Sequence, residues 1–200
     1  MSLIVAIKTK DEFVVASDGL SMKLIPGHTK TIGNTPKIFP ITGQKIVFGY
    51  SGVSIVGERA RQYLIYQFSM AGSASHKLCA LSSYLAGLNK GFSLTKDAEV
   101  ISTGGMLPLT GAIITGYYGD EEVFSLILPD GNVLFPEKYA AIGYDSKNAS
   151  LFLSEEFKGV MNRSQAIGIC QKVILRASNC LFSNKEFFCY SVSSHSVQKI

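Results

Sequence analysis

Two short segments near the start constrain this chain most. Leu3-Ile4-Val5-Ala6-Ile7 and Phe13-Val14-Val15-Ala16-Ser17 are almost continuously apolar and rich in β-branched residues, with a turn at Lys10-Asp11-Glu12 between them. A strand with one wet face alternates apolar and polar residues. These two do not, so they read as strands covered on both faces. A chain that opens with such a pair needs further layers on either side of the sheet.

The remaining segments supply those layers. Asp18 to Thr35 is polar, with turn signals at Pro26-Gly27 and Gly33-Asn34. Lys37-Ile38-Phe39 and Lys45-Ile46-Val47-Phe48 read as two more strands, and Gly49-Tyr50-Ser51-Gly52 as the break after them. Ser54 is placed to cap a helix in which Val56, Ala60, Tyr63, Leu64 and Phe68 keep helical spacing and Gly57 is a weak point. A second helix is expected over 75–88, and a loop or short strand over 91–105. Strands follow at 111–117, 123–128 and 133–135, the last two joined by Pro129-Asp130-Gly131-Asn132. Helices at 146–158 and 164–177 and a strand at 187–192 end the chain. Strands and helices come in blocks without a βαβ rhythm, which excludes a doubly wound parallel fold. No repeat or linker divides residues 1–200, so one domain is expected.

Bulk composition excludes several functions. At 200 residues the chain can bury roughly 70% of its unfolded surface. It needs neither disulfides nor metals for stability. Apolar residues make up 46% and charged residues 17%, an apolar excess that subunit interfaces would explain. Cys79, Cys170, Cys180 and Cys189 share no metal-binding spacing and read as buried thiols. No apolar run reaches the ~18 residues that span a bilayer, and the opening lacks a signal peptide's basic leader. A cytoplasmic protein without membrane contact is expected. The net charge of +4 is scattered, without a nucleic-acid-binding motif. His28, His76 and His195 have no triad context, no phosphate loop precedes a helix, and no cofactor or metal is expected.

Four local patterns, in this order, carry a resemblance. They are Ser2 ahead of the first strand with Val15-Ala16-Ser17-Asp18-Gly19; Pro36-Lys37-Ile38-Phe39; Gly49-Tyr50-Ser51-Gly52 leading into a helix; and Ala140-Ala141-Ile142-Gly143 leading into another after the Pro129-Asp130-Gly131 hairpin. Together they resemble the proteasome β-subunits, and most of all the bacterial proteasome-related peptidase that works with a ring ATPase. The resemblance covers nearly the whole chain. It implies an α+β fold, a four-layer αββα sandwich of two antiparallel sheets, of the type that N-terminal-nucleophile hydrolases share. It also implies a peptide or protein substrate, a homo-oligomeric ring, and a ring ATPase or other unfoldase as partner.

By the same resemblance, the hydroxyl of Ser2 is the nucleophile where Thr is usual, and its α-amine, freed by removal of Met1, is the general base. A hydroxyl needs such a base at neutral pH, and an α-amine titrates near 7.7–8.0. Lys37 would lower the hydroxyl's pKa by charge and be held by Asp18. Ser51, with Gly52 as alternate, would present an N–H to the oxyanion, and Ser21, Thr35, Gly49 and Val53 would line the first specificity pocket. Taken singly, each has an ordinary reading. Ser2 is a small residue after a start Met, Asp18 a turn former, Lys37 a strand-edge lysine, and the glycines a strand-to-helix turn. Two positions depart from the family. Tyr144 stands where a supporting Ser is usual, and Ser178 lies where an Asp near the end of the last long helix is usual. Asp145 is a candidate substitute carboxylate, although an Asp there also reads as a helix cap. These departures leave open a degenerate homologue with a structural or partner-binding role.

Overall fold

The computed structural model describes residues 2–25, 28–95, 109–177 and 187–200; for 20–25, 28–34 and 177 it describes the backbone only. The opening pair forms β1 (Leu3–Lys8) and β2 (Glu12–Ser17), antiparallel and paired from Ile4↔Ser17 to Lys8↔Phe13. Both are buried on both faces, as their composition requires. Leu3, Val5, Ile7, Val14 and Ala16 face one apolar cluster, and Ile4, Ala6, Phe13 and Val15 face another.

These strands centre one five-stranded sheet. β10 (Tyr139–Gly143) flanks β1, and β11 (Phe188–Ser193) with β12 (Val197–Lys199) extends the sheet beyond β2. A second five-stranded sheet runs β5 (Ile38–Pro40), β6 (Lys45–Ser51), β7 (Gly111–Tyr118), β8 (Glu121–Ile127) and β9 (Val133–Leu134). Every pairing is antiparallel. Helices α1 (Ser54–Ser69) and α2 (Ala74–Ser93) cover the second sheet; α3 (Ser146–Glu156) and α4 (Arg163–Ala177) cover the first. Three apolar clusters fill the three spaces between the four layers. This is the expected αββα sandwich.

Polar anchors fix the helices. Lys77 is buried on α2, and its ammonium donates to the carbonyls of Gln67 (2.6 Å), Met70 (2.5 Å) and Ala71 (3.4 Å), satisfying the end of α1. Asn162 and Gln165 exchange side-chain-to-backbone bonds at 3.0 Å in a reciprocal cap at the start of α4.

Several local readings change. Residues 20–34 form a hairpin, β3 (Leu20–Ile25) with β4 (His28–Asn34), where the polar composition indicated only turns. β6 does not break at Gly49. It keeps pairing with β7 through Ser51↔Gly111, and the chain turns at Gly52, where φ is +127°. Ser54 does not cap α1: Val53 is the capping residue, and its N–H and C=O bond the Thr110 hydroxyl instead. α2 starts at Ala74, capped by Ser73, and runs on through Ser93; the rest of the expected 91–105 connection beyond Thr95 lies outside the described residues. β10 (Tyr139–Gly143) and β12 (Val197–Lys199) are strands beyond those expected from the sequence. Cys170 and Cys189 are buried, but Cys79 is exposed because it falls outside the α2 stripe of Ala74, Lys77, Leu78, Leu81 and Leu85; Cys180 lies outside the described residues.

Candidate active site

One end of the sandwich gathers Ser2, Asp18, Lys37 and Ser51, although they come from four strand ends in two sheets. Ser2 precedes β1 and is 1% exposed. Its carbonyl accepts a 2.5 Å bond from the Ser51 hydroxyl and a 3.2 Å bond from the Tyr144 N–H. The first ties β1 to the far end of β6, across the two sheets. Gly143 makes the approach possible: its φ is +108°, and a Cβ there would stand 2.0 Å from Ser2 O and 2.4 Å from Ser51 Oγ.

Asp18 follows β2 and is 3% exposed. Its Oδ1 accepts from the Leu3 N–H at 3.2 Å, and its own N–H donates to Leu3 O at 3.4 Å. This clasp holds the carboxylate beside the residue that follows Ser2. Lys37, 5% exposed, precedes β5, and its carbonyl accepts from the Tyr50 N–H at 3.0 Å. Its ammonium donates to Ser54 Oγ at 3.0 Å and lies 5.2 Å from the centre of the Tyr50 ring. Burial pushes the Lys37 pKa down, and the Asp18 carboxylate pulls it back up.

The turn after β6 is anchored from below. Gly52 lies against Thr110, where a Cβ would come within 2.6 Å of Thr110 Cα. Thr110 in turn exchanges backbone-to-side-chain bonds with the buried Asn89 of α2, at 2.9 and 2.8 Å. The residues expected to line a pocket beside Ser2 are placed less uniformly. Thr35 is exposed and its N–H donates to Gly19 O; Val53 is half-buried. Gly49 is buried, and a Cβ there would meet Ile38 and Ile4 of the inter-sheet core. Ser21 lies in β3 opposite Gly33, described by its backbone only.

At the departing positions, Tyr144 offers its N–H to Ser2 O while its side chain is 48% exposed. Asp145 occupies the capping position of α3 in a left-handed conformation (φ 58°), and its Oδ1 accepts from Asn148 Nδ2 at 2.7 Å without capping a backbone N–H. Ser178 lies outside the described residues. Reading the sequence missed Ser54 and Tyr50 as partners of Lys37, and Asn89 and Thr110 as supports of the turn. None has a local pattern that betrays a partner 13 to 57 residues away. Among the described residues, no cluster of His, Cys, Asp and Glu could hold a metal ion, and no helix is long and apolar enough to cross a membrane.

A family model described as "Proteasome subunit" matches residues 2–192. No curated protein matches the chain.

Proposed function

The chain belongs to the proteasome subunit family, and from that premise we propose that it is a peptidase hydrolysing amide bonds through Ser2, in a homo-oligomeric ring. Removal of Met1 frees the Ser2 amine. That amine takes the hydroxyl proton as Oγ attacks the scissile carbonyl carbon. Negative charge on the carbonyl oxygen meets N–H groups of the Ser51–Gly52 turn, each such donor being worth ~3 kcal/mol. The C–N bond then breaks, the leaving amine carries off the proton, and an ester to Ser2 remains. Water, deprotonated by the same amine, hydrolyses that ester. The Lys37 ammonium favours the alkoxide by charge, and Asp18 keeps Lys37 charged.

The observation that carries this reading is the convergence of two buried ionisable side chains, Asp18 and Lys37, at the end of the sandwich where β1 begins. Burying charge is costly, and such groups cluster where chemistry needs them. Members of the family typically form oligomeric rings and act on protein substrates. Apolar side chains exposed on both helical layers, Ile55 and Leu94 on one and Leu151 and Leu175 on the other, support subunit contacts here. A ring ATPase or other unfoldase would deliver folded substrates, and the cytoplasm is the compartment we propose.

Intact mass after treatment with a β-lactone tests the site, together with fluorogenic peptide turnover by the wild type and Ser2→Ala. We expect a chain lacking Met1, one covalent adduct on Ser2, and turnover lost in Ser2→Ala. Turnover that survives Ser2→Ala would rule the site out. A second reading, a degenerate homologue with a structural role, is favoured by Tyr144 in the supporting position and by Asp145 directing Oδ1 to Asn148. It predicts no turnover and an unshifted mass.

A further inference from the structure

The Lys37 ammonium meets more than Asp18. Its bonded partner is Ser54 Oγ, and the Tyr50 ring lies beneath it. Tyr50 stacks on Phe39, with centroids 5.9 Å apart and planes 11° apart, and the Arg61 guanidinium lies 5.1 Å from the Phe39 centroid. Arg61 is held in turn by both Glu58 oxygens at 2.9 and 2.6 Å. Ser54, Glu58 and Arg61 recur at i, i+4 and i+7, one face of α1. Arg61 on that face lies over the Phe39 ring of β5, Phe39 stacks on Tyr50 of β6, and the Tyr50 ring lies beside Lys37.

We infer that Ser54 and Tyr50 are positioning residues for Lys37, a hydroxyl and a ring face that hold its ammonium charged and aimed within the site. The inference rests on the proposal that Lys37 serves the Ser2 reaction. An ammonium has three N–H donors and needs partners for them when buried. Ser54 supplies an acceptor without adding charge, and the ring supplies a negative face without a competing carboxylate. Asp18 then stabilises the cation without being its sole support. The charged and titratable groups around it are Asp18 at the end of β2, Tyr50 on β6, and Glu58 and Arg61 on α1. The last two neutralise one another, so α1 brings Ser54 to Lys37 without a net field of its own.

Competitive acylation with acetic anhydride across pH, read by mass spectrometry on the peptide holding Lys37, tests this independently of catalysis. The exposed Lys147 serves as internal reference. Ser54→Ala should lower the Lys37 titration midpoint by about one pH unit, the size of a lost charge-assisted hydrogen bond. Tyr50→Leu should lower it too, and Tyr50→Phe, which keeps the ring, should restore most of it. In peptide turnover, Ser54→Ala should reduce kcat about tenfold and leave KM unchanged. Should Tyr50→Leu not fold, Ser54→Ala decides alone, since Ser54 is an exposed residue whose loss leaves the core intact. An unchanged midpoint in folded Ser54→Ala overturns the inference. A lowered midpoint without turnover in any protein, wild type included, supports the cradle while removing the peptidase proposal.

Discussion

Gly57 of α1 lies directly on the ring of Tyr50: a Cβ at Gly57 would stand 2.0 Å from Tyr50 Cδ2 and 2.3 Å from Cγ. A glycine inside a helix ordinarily costs about 1 kcal/mol relative to alanine. Here that cost permits a close approach, and the approach brings Ser54, three residues earlier, to Lys37.

Gly57→Ala therefore sets two effects in opposition. Propensity favours alanine by about 1 kcal/mol. Overpacking against a buried ring costs typically 1–3 kcal/mol, and the ring is wedged between Gly57 and Phe39. The clash wins, so the variant should melt a few degrees lower, and α1 should move off Tyr50 and weaken peptide turnover. Calorimetry and the fluorogenic assay read the two effects. A variant melting higher than wild type would show that propensity decides.

How much of this arrangement a reader of the sequence could foresee depends on the distance over which its cause acts. The layered plan was legible because Leu3–Ile7 and Phe13–Ala16 carry their burial in their own composition. Ile4 and Val5 point to different cores, and both had to be apolar. The β3–β4 hairpin was legible only in its first half: Leu20, Met22 and Leu24 alternate with Ser21 and Lys23, but Thr29, Lys30 and Thr31 of β4 give no such alternation, and a ribbon outside the two main sheets needs none. Asp18 and Lys37 were singled out through the family resemblance, and the structure buries both at one end of the sandwich. Ser54 reads as a cap because a serine after a glycine turn carries the same local signal whether it caps the helix or meets a lysine 17 residues back.

The cysteines should divide cleanly by reactivity. Burial raises the Cys170 thiol well above its ordinary range, with Cys189 nearby adding to the effect, and burial pushes Cys189 up to about 12. A thiolate is the reactive form, so neither should react at neutral pH. Cys79 is exposed on α2. Among these three, iodoacetamide on native protein should label Cys79 alone, with Cys170 and Cys189 labelled only after denaturation. Native labelling of Cys170 at the rate of Cys79 would contradict the packing of α4 on the first sheet.

Gly143 should tolerate no side chain. A Cβ would meet Ser2 O at 2.0 Å and Ser51 Oγ at 2.4 Å, and φ of +108° strains any other residue. Relief requires displacing the Ser51 hydroxyl, which breaks the Ser51–Ser2 bond, or moving β10 away from Ser2, which breaks the Tyr144–Ser2 bond. Gly143→Ala should thus abolish β-lactone labelling of Ser2 while the chain stays folded by circular dichroism. Ser51→Ala removes only the first bond and should retain partial labelling. Full labelling in Gly143→Ala would mean that the register at Leu3↔Gly143 does not position Ser2 for the proposed reaction.

The buried lysine also leaves a signature in stability. In the folded chain burial lowers the Lys37 pKa below its ordinary 10.5 by more than Asp18 raises it. Between the lowered value and 10.5, the unfolded chain holds more protons at this position than the folded one. Stability rises with pH wherever the unfolded state binds more protons. Lys37 therefore opposes folding at pH values below that window, where both states carry the charge. Its penalty fades through the window and vanishes above 10.5. Lys37→Met has no such group, and the other titrating side chains are common to both proteins. Urea midpoints measured from pH 7 to pH 10.5 should show wild type gaining on Lys37→Met as pH climbs. Parallel curves for the two proteins would mean that the ammonium is as well solvated in the fold as in water, and the role proposed for Lys37 would lose its buried cation.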